Sequence, residues 1–181
     1  MKISLIPIGD IEKSILAPLR KGLADKFHTE VCLRYSLPEP DYAHNTKRGQ
    51  YLANPVILAL TRHEAYGESE RVIGVMDHDL FVPELSFVFG VARGPMALIS
   101  LTRLRQEFYG LPEDRELFMK RIMTEAVHEL GHTFGLEHCK NPRCVMFFSS
   151  SIADTDRKGF RFCPLCRRKV FPEPTERATA P

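Results

Sequence analysis

Residues 128–138 read HELGHTFGLEH and contain three histidines in the pattern H-E-x-x-H-x-x-G-x-x-H. His128 and His132 are four residues apart, so a helix places both on one face, about 6 Å apart, where they can reach one metal ion. Gly135 allows a sharp turn with positive φ, which would return His138 to the same ion. Three neutral imidazoles with an open fourth position are typical of a catalytic zinc site. The stretch therefore predicts a helix that carries the catalytic zinc site of a hydrolase.

Glu129 follows the first histidine and lies about 100° further around the same helix. Its carboxylate would not point straight at the ion but could reach a bound water, whose pKa zinc lowers to roughly 7. From there it could accept a proton and hand it to a leaving amine, so Glu129 is the expected general base. The alternative, a surface helix that is merely rich in histidine, would not account for three histidines, a glutamate and a glycine at these five fixed spacings.

Four of the five cysteines follow the third histidine. Cys139 and Cys144 enclose four residues, Cys163 and Cys166 enclose two, and 18 residues separate the pairs. This spacing is typical of a structural Cys₄ zinc site, closed to water. Disulfides would need an oxidising compartment, and a redox Cys-x-x-Cys pair would leave the first two cysteines unexplained. Cys32 is expected to be a small buried hydrophobe in a strand.

The segment before the motif alternates strand-like runs with helical periodicity, which predicts an α/β (α+β) fold. Apolar residues recur every four positions from Ile11 to Phe27, although Pro18 must kink that helix or mark its first turn. A second helix could lie at 51–63, and a third is expected from Pro112 to Phe134, with its histidines facing away from the core stripe. The runs that predict a mixed, twisted sheet of about five strands are 2–8, 31–37, 72–76, 85–91 and 97–101.

We expect three parts of the chain. Residues 1–134 form a sheet-and-helix subdomain that includes the motif helix. Residues 135–171 form a smaller subdomain, too poor in apolar side chains to build a core alone, which the Cys₄ zinc ion would brace. Residues 172–181 have no periodicity and are expected to be a flexible tail.

Composition excludes several classes of protein. The 181 residues include 25 Lys or Arg and 23 Asp or Glu, a net charge of +2 that does not favour bulk nucleic-acid binding. No apolar run reaches the roughly 18 residues of a membrane span, and no signal peptide is recognisable, so we expect a cytoplasmic monomer without membrane contact. Asp77, His78 and Asp79 are expected to form a strand-end turn. The remaining histidines, expected at the surface or in loops, are His28, His44 and His63.

The C-terminal part suggests an alternative function. A zinc ribbon with a basic face could dock on nucleic acid or an acidic partner and have little or no proteolytic activity. Aromatic residues that could stack on bases are few, and two aspartates dilute the charge, so a solvated face is favoured. The basic residues concerned are Arg157, Lys158, Arg161, Arg167, Arg168 and Lys169.

Several segments together resemble the archaemetzincins, a branch of the metzincin zinc peptidases. They are HELGHTFGLEHC at 128–139, CVMFFSSSIADTD at 144–156, CPLC at 163–166, KRGQY at 47–51 and DLFVPELSFVFG at 79–90. The resemblance covers nearly the whole chain.

The resemblance implies a metzincin-like fold and two zinc ions per chain, one catalytic and one structural. The catalytic ligands would be His128, His132 and His138, with Glu129 as base, and Met146 would be the Met-turn residue beneath the metal. Without the resemblance, Met146 would be interpreted as a flexible core filler.

We therefore expect a metallopeptidase for peptide substrates. Because no pro-segment precedes the first strand, we expect narrow specificity, as an aminopeptidase or a short-peptide hydrolase. The run 87–93 could be an exposed edge strand that holds an extended peptide by β-augmentation, or an ordinary strand of the sheet.

Overall fold

The computed structural model describes residues 1–63, 67 and 69–172. The strands are β1 (Lys2–Ile8), β2 (Glu30–Leu33), β3 (His44–Asn45), β4 (Gln50–Leu52), β5 (Arg71–Met76), β6 (Leu80–Val82), β7 (Leu85–Val88), β8 (Gly90–Arg93) and β9 (Met96–Ser100). The helices are α1 (Lys13–Phe27), α2 (Ala53–Ala59), α3 (Arg115–Thr133), α4 (Ile152–Lys158) and α5 (Pro164–Val170). Short 3₁₀ turns lie at Asp41–Ala43, Leu60–Arg62, Thr102–Leu104 and Glu107–Tyr109.

A five-stranded sheet in the order β2-β1-β5-β9-β8 forms the centre of the molecule. Four of its strands are parallel, and β8 at the edge is antiparallel to β9, so the predicted mixed five-stranded sheet is confirmed. A second sheet, β3-β4-β6-β7, was not predicted. The run 85–91, which was predicted as one strand, is therefore two strands. β7 pairs with β6 in the second sheet, whereas β8 pairs with β9 in the central sheet.

Both faces of the central sheet are covered. Alternate residues of β1 belong to two different hydrophobic clusters, with Ile3 and Leu5 on one face and Ile6 and Ile8 on the other. The first cluster contains the apolar faces of α1 and α3, and the second contains α2. Helices on both faces explain why the parallel strands are almost continuously apolar.

Several element boundaries differ from those predicted. Helix α3 begins at Arg115 rather than Pro112, because the carboxylate of Asp114 accepts a hydrogen bond from the Leu117 amide at 2.9 Å and caps the helix. Strand β2 ends at Leu33, four residues before the predicted end. Of the two positions that the sequence left open for Pro18, the structure shows the interior of helix α1.

Residues after α3 pack against the core of the sheet rather than forming a core of their own. Val145, Met146 and Val170 belong to the same hydrophobic cluster as β1 and α1. The division of the chain at residue 134 stays a prediction, and the predicted tail lies, apart from Pro172, outside the described residues. None of the described helices is long and apolar enough to cross a membrane.

Candidate active site and metal clusters

A cleft of about 560 Å³ lies between the edge of the central sheet and the C-terminal half of α3. One wall is the continuous stretch from β7 to β8, and the other carries the histidines of the motif. The lining residues after β8 are Glu125, His128, Glu129, His132, His138, Phe148, Ser149, Ser150 and Lys158.

Three histidine side chains converge at this cleft. His128 and His132 are on consecutive turns of α3, and His138 returns to them after Gly135, whose φ of +78° provides the predicted turn. Their closest ring nitrogens lie within 4.8 Å of one another, and the Nε2 atoms of His128 and His132 are 3.2 Å apart. Zn–N bonds of about 2.0–2.1 Å in a tetrahedron place nitrogens about 3.3–3.4 Å apart, so the spacing fits a zinc ion.

Backbone carbonyl groups determine how two of these rings are protonated. Nδ1 of His128 lies 2.6 Å from the Val145 oxygen, and Nδ1 of His132 lies 2.7 Å from the Leu136 oxygen. Because a carbonyl oxygen can only accept, each Nδ1 carries the proton and donates it. Each Nε2 therefore presents a lone pair, and two lone pairs 3.2 Å apart repel unless a cation lies between them. This donor set is suited to zinc.

Burial lowers the pKa of all three imidazoles. The pKa of His128 falls furthest, because its ring is almost completely buried and the charges of Lys158 and His132 act in the same direction. The rings are therefore neutral near pH 7, which is the state that binds a metal ion.

Glu129 is held between α3 and the edge strand. Its side chain is buried, and burial together with the nearby charge of Glu125 raises its pKa well above the usual range. Gly90 of β8 allows this close approach: a Cβ there would lie 2.6 Å from Cγ of Glu129 and 2.7 Å from the Leu98 oxygen. Any side chain at residue 90 would displace the carboxylate or the strand.

A buried ion pair behind His128 was missed by the sequence analysis. The Lys158 ammonium is completely buried, 3.2 Å from Glu125 Oε1 and 3.3 Å from Nδ1 of His128, and it donates to the Phe147 oxygen at 3.2 Å. Thr155 also donates to Glu125, at 2.9 Å. The assignment of Lys158 to an exposed basic face was therefore wrong.

The motif face of α3, predicted to face away from the apolar stripe of the helix, is itself buried. His128 is 4% exposed and Glu129 is 5% exposed, because the segment from Cys144 to Phe147 and helix α4 cover this face. One indication was present in the sequence: Glu125 is three residues before His128 and four before Glu129, so it shares their side of the helix.

Met146 is completely buried against the motif helix. A Cβ on Gly131 would overlap the Met146 sulfur, so the glycine makes room for this side chain. The oxygen of Met146 accepts a hydrogen bond from the Cys139 amide at 2.8 Å, and the preceding Val145 holds His128. The backbone around Met146 thus contacts both candidate metal-binding segments, while its role as a Met-turn residue stays a prediction.

The four C-terminal cysteines also converge. All four sulfurs lie within 4.8 Å of one another, and those of Cys139 and Cys163 are 3.9 Å apart. A disulfide requires about 2.05 Å, whereas Zn–S bonds of about 2.3 Å in a tetrahedron place sulfurs about 3.8 Å apart. Backbone amides of Cys163 and Asn141 donate to two of the sulfurs, at 3.3 and 3.4 Å. The cluster therefore fits a tetrahedral zinc ion.

The thiol pKa values show the same need for a cation. Burial opposes ionisation of Cys163, but the Cys166 amide and the neighbouring cysteines lower its pKa to about 7. Burial and the same neighbours raise the pKa of Cys166. Four thiolates so close together would repel one another, and a bound metal ion removes that penalty.

The Asp77–Asp79 segment is a structural turn, as predicted. Asp77 forms a bidentate ion pair with Arg105, and Asp79 forms one with Arg103, each with a closest distance of 2.6 Å. These pairs attach the end of β5 to the segment after β9 and lie outside the cleft lining.

Two other predictions about single residues were confirmed in part. His63 lies in a loop, one of the two predicted settings, but it is 2% exposed and stacks on Tyr35 with ring centroids 4.2 Å apart. Cys32 lies in a strand as predicted but is only partly buried, and its thiol donates to Glu30 at 3.1 Å. Both His28 and His44 are exposed, as predicted.

Comparison with known proteins gives consistent matches. A sequence model of peptidase family M54 matches residues 34–171. The archaemetzincin of Methanocaldococcus jannaschii is 42% identical over 173 residues, covering 94% of this chain and 93% of that protein. The archaemetzincin of Pyrococcus furiosus is 43% identical over 175 residues, covering 93% and 91%.

Solved structures agree with these matches. The crystal structure of archaemetzincin from Methanopyrus kandleri superposes with a TM-score of 0.81 at 38% identity, over 94% of this chain and 93% of that chain. The archaemetzincin from Archaeoglobus fulgidus, solved in complex with malonate, gives a TM-score of 0.82 at 33% identity, over 93% and 99%.

Proposed function

The chain belongs to peptidase family M54, the archaemetzincins, and is a zinc metallopeptidase; we propose that His128, His132 and His138 hold its catalytic zinc ion and that Glu129 is its general base. The observation that supports this assignment is the convergence of three imidazoles beside a buried glutamate at the wall of the cleft. Membership of a peptidase family does not support the alternative of an interaction module without proteolysis.

The residues of the chain divide the chemistry between them. Zinc in a three-histidine site supplies Lewis acidity, which makes hydroxide available near pH 7 and polarises the scissile carbonyl. The carbonyl groups of Val145 and Leu136 fix the orientation of two ligand rings. Glu129 takes up the proton of the attacking water and donates it to the leaving amine.

The cleft is suited to an extended, mainly apolar peptide segment. Strand β8 is at the edge of the sheet, so the backbone groups on its outer side can pair with a peptide laid along the cleft. Apolar side chains at 87–89 and 91–92 line this wall, and Phe148 lies opposite beside His138.

The described cleft lining offers no spare carboxylate for a substrate amino terminus. Its only carboxylates are Glu125, which is paired with Lys158, and Glu129, which is assigned to catalysis. This favours a hydrolase of short peptides over an aminopeptidase.

We further assign a structural zinc ion to Cys139, Cys144, Cys163 and Cys166, giving two zinc ions per chain. Closed tetrathiolate ligation would brace a segment that contributes few apolar residues of its own. We also propose a cytoplasmic location, because a reducing compartment keeps zinc-binding cysteines in the thiolate state.

The test is cleavage of a diverse mixture of synthetic peptides, read by mass spectrometry, with wild type and Glu129→Gln compared. The variant should lose about 10²- to 10⁴-fold in rate because the amide cannot accept a proton, while it keeps two zinc ions. The matched control is Glu116→Gln, an exposed position in the first turn of the same helix, which should cleave like wild type. Loss of zinc from Glu129→Gln, or undiminished cleavage, would overturn the assignment.

A further inference from the structure

Positive charge is concentrated near the C-terminal end of the chain. Residues 139–171 contain eight Lys or Arg and two Asp, whereas residues 1–138 contain 16 Lys or Arg and 19 Asp or Glu. The balanced overall charge conceals this separation. Lys158 is neutralised in the interior, but Arg161 and Arg167 are exposed.

The exposed Arg161 and Arg167 line a pocket together with Lys26 of α1, outside the motif at 128–138. The cation pocket, of about 330 Å³, is lined by Lys26, Arg161 and Arg167 together with the rings of Phe162 and Phe171. His28 and Asp25 complete its lining. It shares no lining residue with the cleft.

The pocket contains three cations and one carboxylate, that of Asp25. Lys26, Arg161 and Arg167 form no ion pair with any residue that the structure describes. The Lys26 ammonium instead lies 5.2 Å from the centroid of the Phe162 ring. Burial lowers the pKa of Lys26, and repulsion from the two guanidinium groups lowers it further. Cations held together without a partner raise the free energy of the folded state, and a bound anion would remove that cost.

We propose that the cation pocket binds a phosphate-bearing ligand. Guanidinium groups match phosphate oxygens through paired N–H donors, and a lysine adds a point charge, so three such groups suit an anion with several charges. The aromatic rings beside them offer a surface on which a nucleobase can stack. Two sources supply this chemistry: a free polyphosphate or nucleotide, and the backbone of a nucleic acid.

A competing role for the same cations concerns the cysteine cluster. Arg161 is two residues from Cys163, and Arg167 follows Cys166 directly. Four thiolates around one Zn²⁺ leave a charge of about −2, which these cations could balance without any ligand. Lys26 is far away in the sequence, but Cys144 acts on it in space and raises its pKa, so the zinc content of each variant is needed to separate the two roles.

The experiment measures binding of inorganic tripolyphosphate and of a fluorescent 12-nucleotide single-stranded RNA to the zinc-loaded protein at low salt. Arg161→Gln combined with Arg167→Gln should weaken tripolyphosphate binding at least about tenfold, and Lys26→Gln should weaken it severalfold. The control is Arg168→Gln combined with Lys169→Gln, which removes the same charge from exposed positions outside the pocket and should change binding less than about threefold. Zinc content is measured for every variant.

Each outcome decides the proposal. RNA binding at least tenfold tighter than tripolyphosphate identifies a nucleic-acid backbone as the source, and equal or weaker RNA binding identifies a free polyphosphate. The proposal is wrong if wild type binds neither probe, or if the pocket and control variants lose affinity equally. It is also wrong if the double variant Arg161→Gln/Arg167→Gln loses the cysteine-bound zinc while Lys26→Gln binds the probes like wild type. The two arginines would then stabilise the zinc site instead of binding a ligand.

Discussion

Gly131 lies one position before the second histidine of the motif, where the missing side chain determines how closely another segment can approach α3. Glycine inside a helix costs about 1 kcal/mol relative to alanine. Here a Cβ would overlap the sulfur of Met146 and come within 3.3 Å of the Phe162 ring. The helix therefore gives up intrinsic stability so that Met146 can pack directly against its backbone at Gly131.

Replacing Gly131 by alanine should destabilise the protein by about 1–3 kcal/mol despite the better helix propensity, because a filled core must be forced apart. Denaturant unfolding measures this. Gly22→Ala in α1 is the control, since its Cβ would meet only the flexible end of Met123. If both substitutions stabilise the protein equally, Met146 does not need the space at Gly131.

The convergence of the proposed metal ligands was the most predictable feature of the site, because their spacing on a helix or in a tight turn depends on local geometry alone. Lys158 could not be assigned in this way. Its partner Glu125 is 33 residues earlier, and only the docking of α4 on α3 brings the two charges together. Pairs made by tertiary contacts leave no spacing pattern in the sequence.

Among the secondary structure elements, α4 is a short helix held in place mainly by polar contacts. Its first turn has a capping box formed by Ser151 and Asp154. Asp156 forms a bidentate pair with the buried Arg121 of α3, with both distances 2.7 Å. Helix α4 is thus attached to α3 by two ion pairs, one from Asp156 and one from Lys158. Removing one partner of a buried ion pair strongly destabilises a protein, because the other charge is left unpaired.

Lys158→Met should destabilise the protein by about 3–5 kcal/mol, because it leaves the buried carboxylate of Glu125 without a partner. Combining it with Glu125→Gln should restore a large part of the loss, since the buried charge is then removed. Arg157→Met, at the exposed neighbouring position, should change stability by less than about 1 kcal/mol. Denaturant unfolding of wild type and the three variants measures the free energy of unfolding. A double variant no more stable than Lys158→Met would contradict the pairing of Lys158 with Glu125.

Elements with long periodic patterns were predicted well, and those defined by pairing were not. The apolar residues of α1 and α3 recur every four positions regardless of context. The second sheet is built from strands of two to four residues, too short to show alternation. The division between β7 and β8 depends on which strand lies beside each, which the sequence alone does not reveal.

At the scale of the whole molecule, the two proposed metal clusters are parts of one structure. Cys144 contributes a sulfur to the cysteine cluster, the next residue orients His128, and Met146 accepts from the Cys139 amide. The sequence analysis predicted both clusters and a sheet beside them. It could not show that one backbone segment supports both, because this depends on hydrogen bonds across the fold.

Cys163→Ser should therefore reduce the zinc content from two ions to one and also lower peptidase activity, although Cys163 is not in the cleft lining. Loss of the cysteine-bound ion would loosen the segment that positions His128. Metal analysis and the peptide assay measure the two effects. Cys32→Ser, outside both clusters, is the control and should change neither. Full activity with one zinc ion would show that the clusters are independent.

From the short segment between Cys144 and Met146 we also expect the peptidase to be sensitive to redox conditions. Thiolates react with peroxides, whereas imidazoles at neutral pH are far less reactive. Oxidation of the cysteine cluster would release its ion and disturb the Val145 carbonyl that holds His128. Proteolysis would then stop under oxidative stress without any chemical change at the histidines or Glu129, and thiol reduction with renewed zinc would restore it.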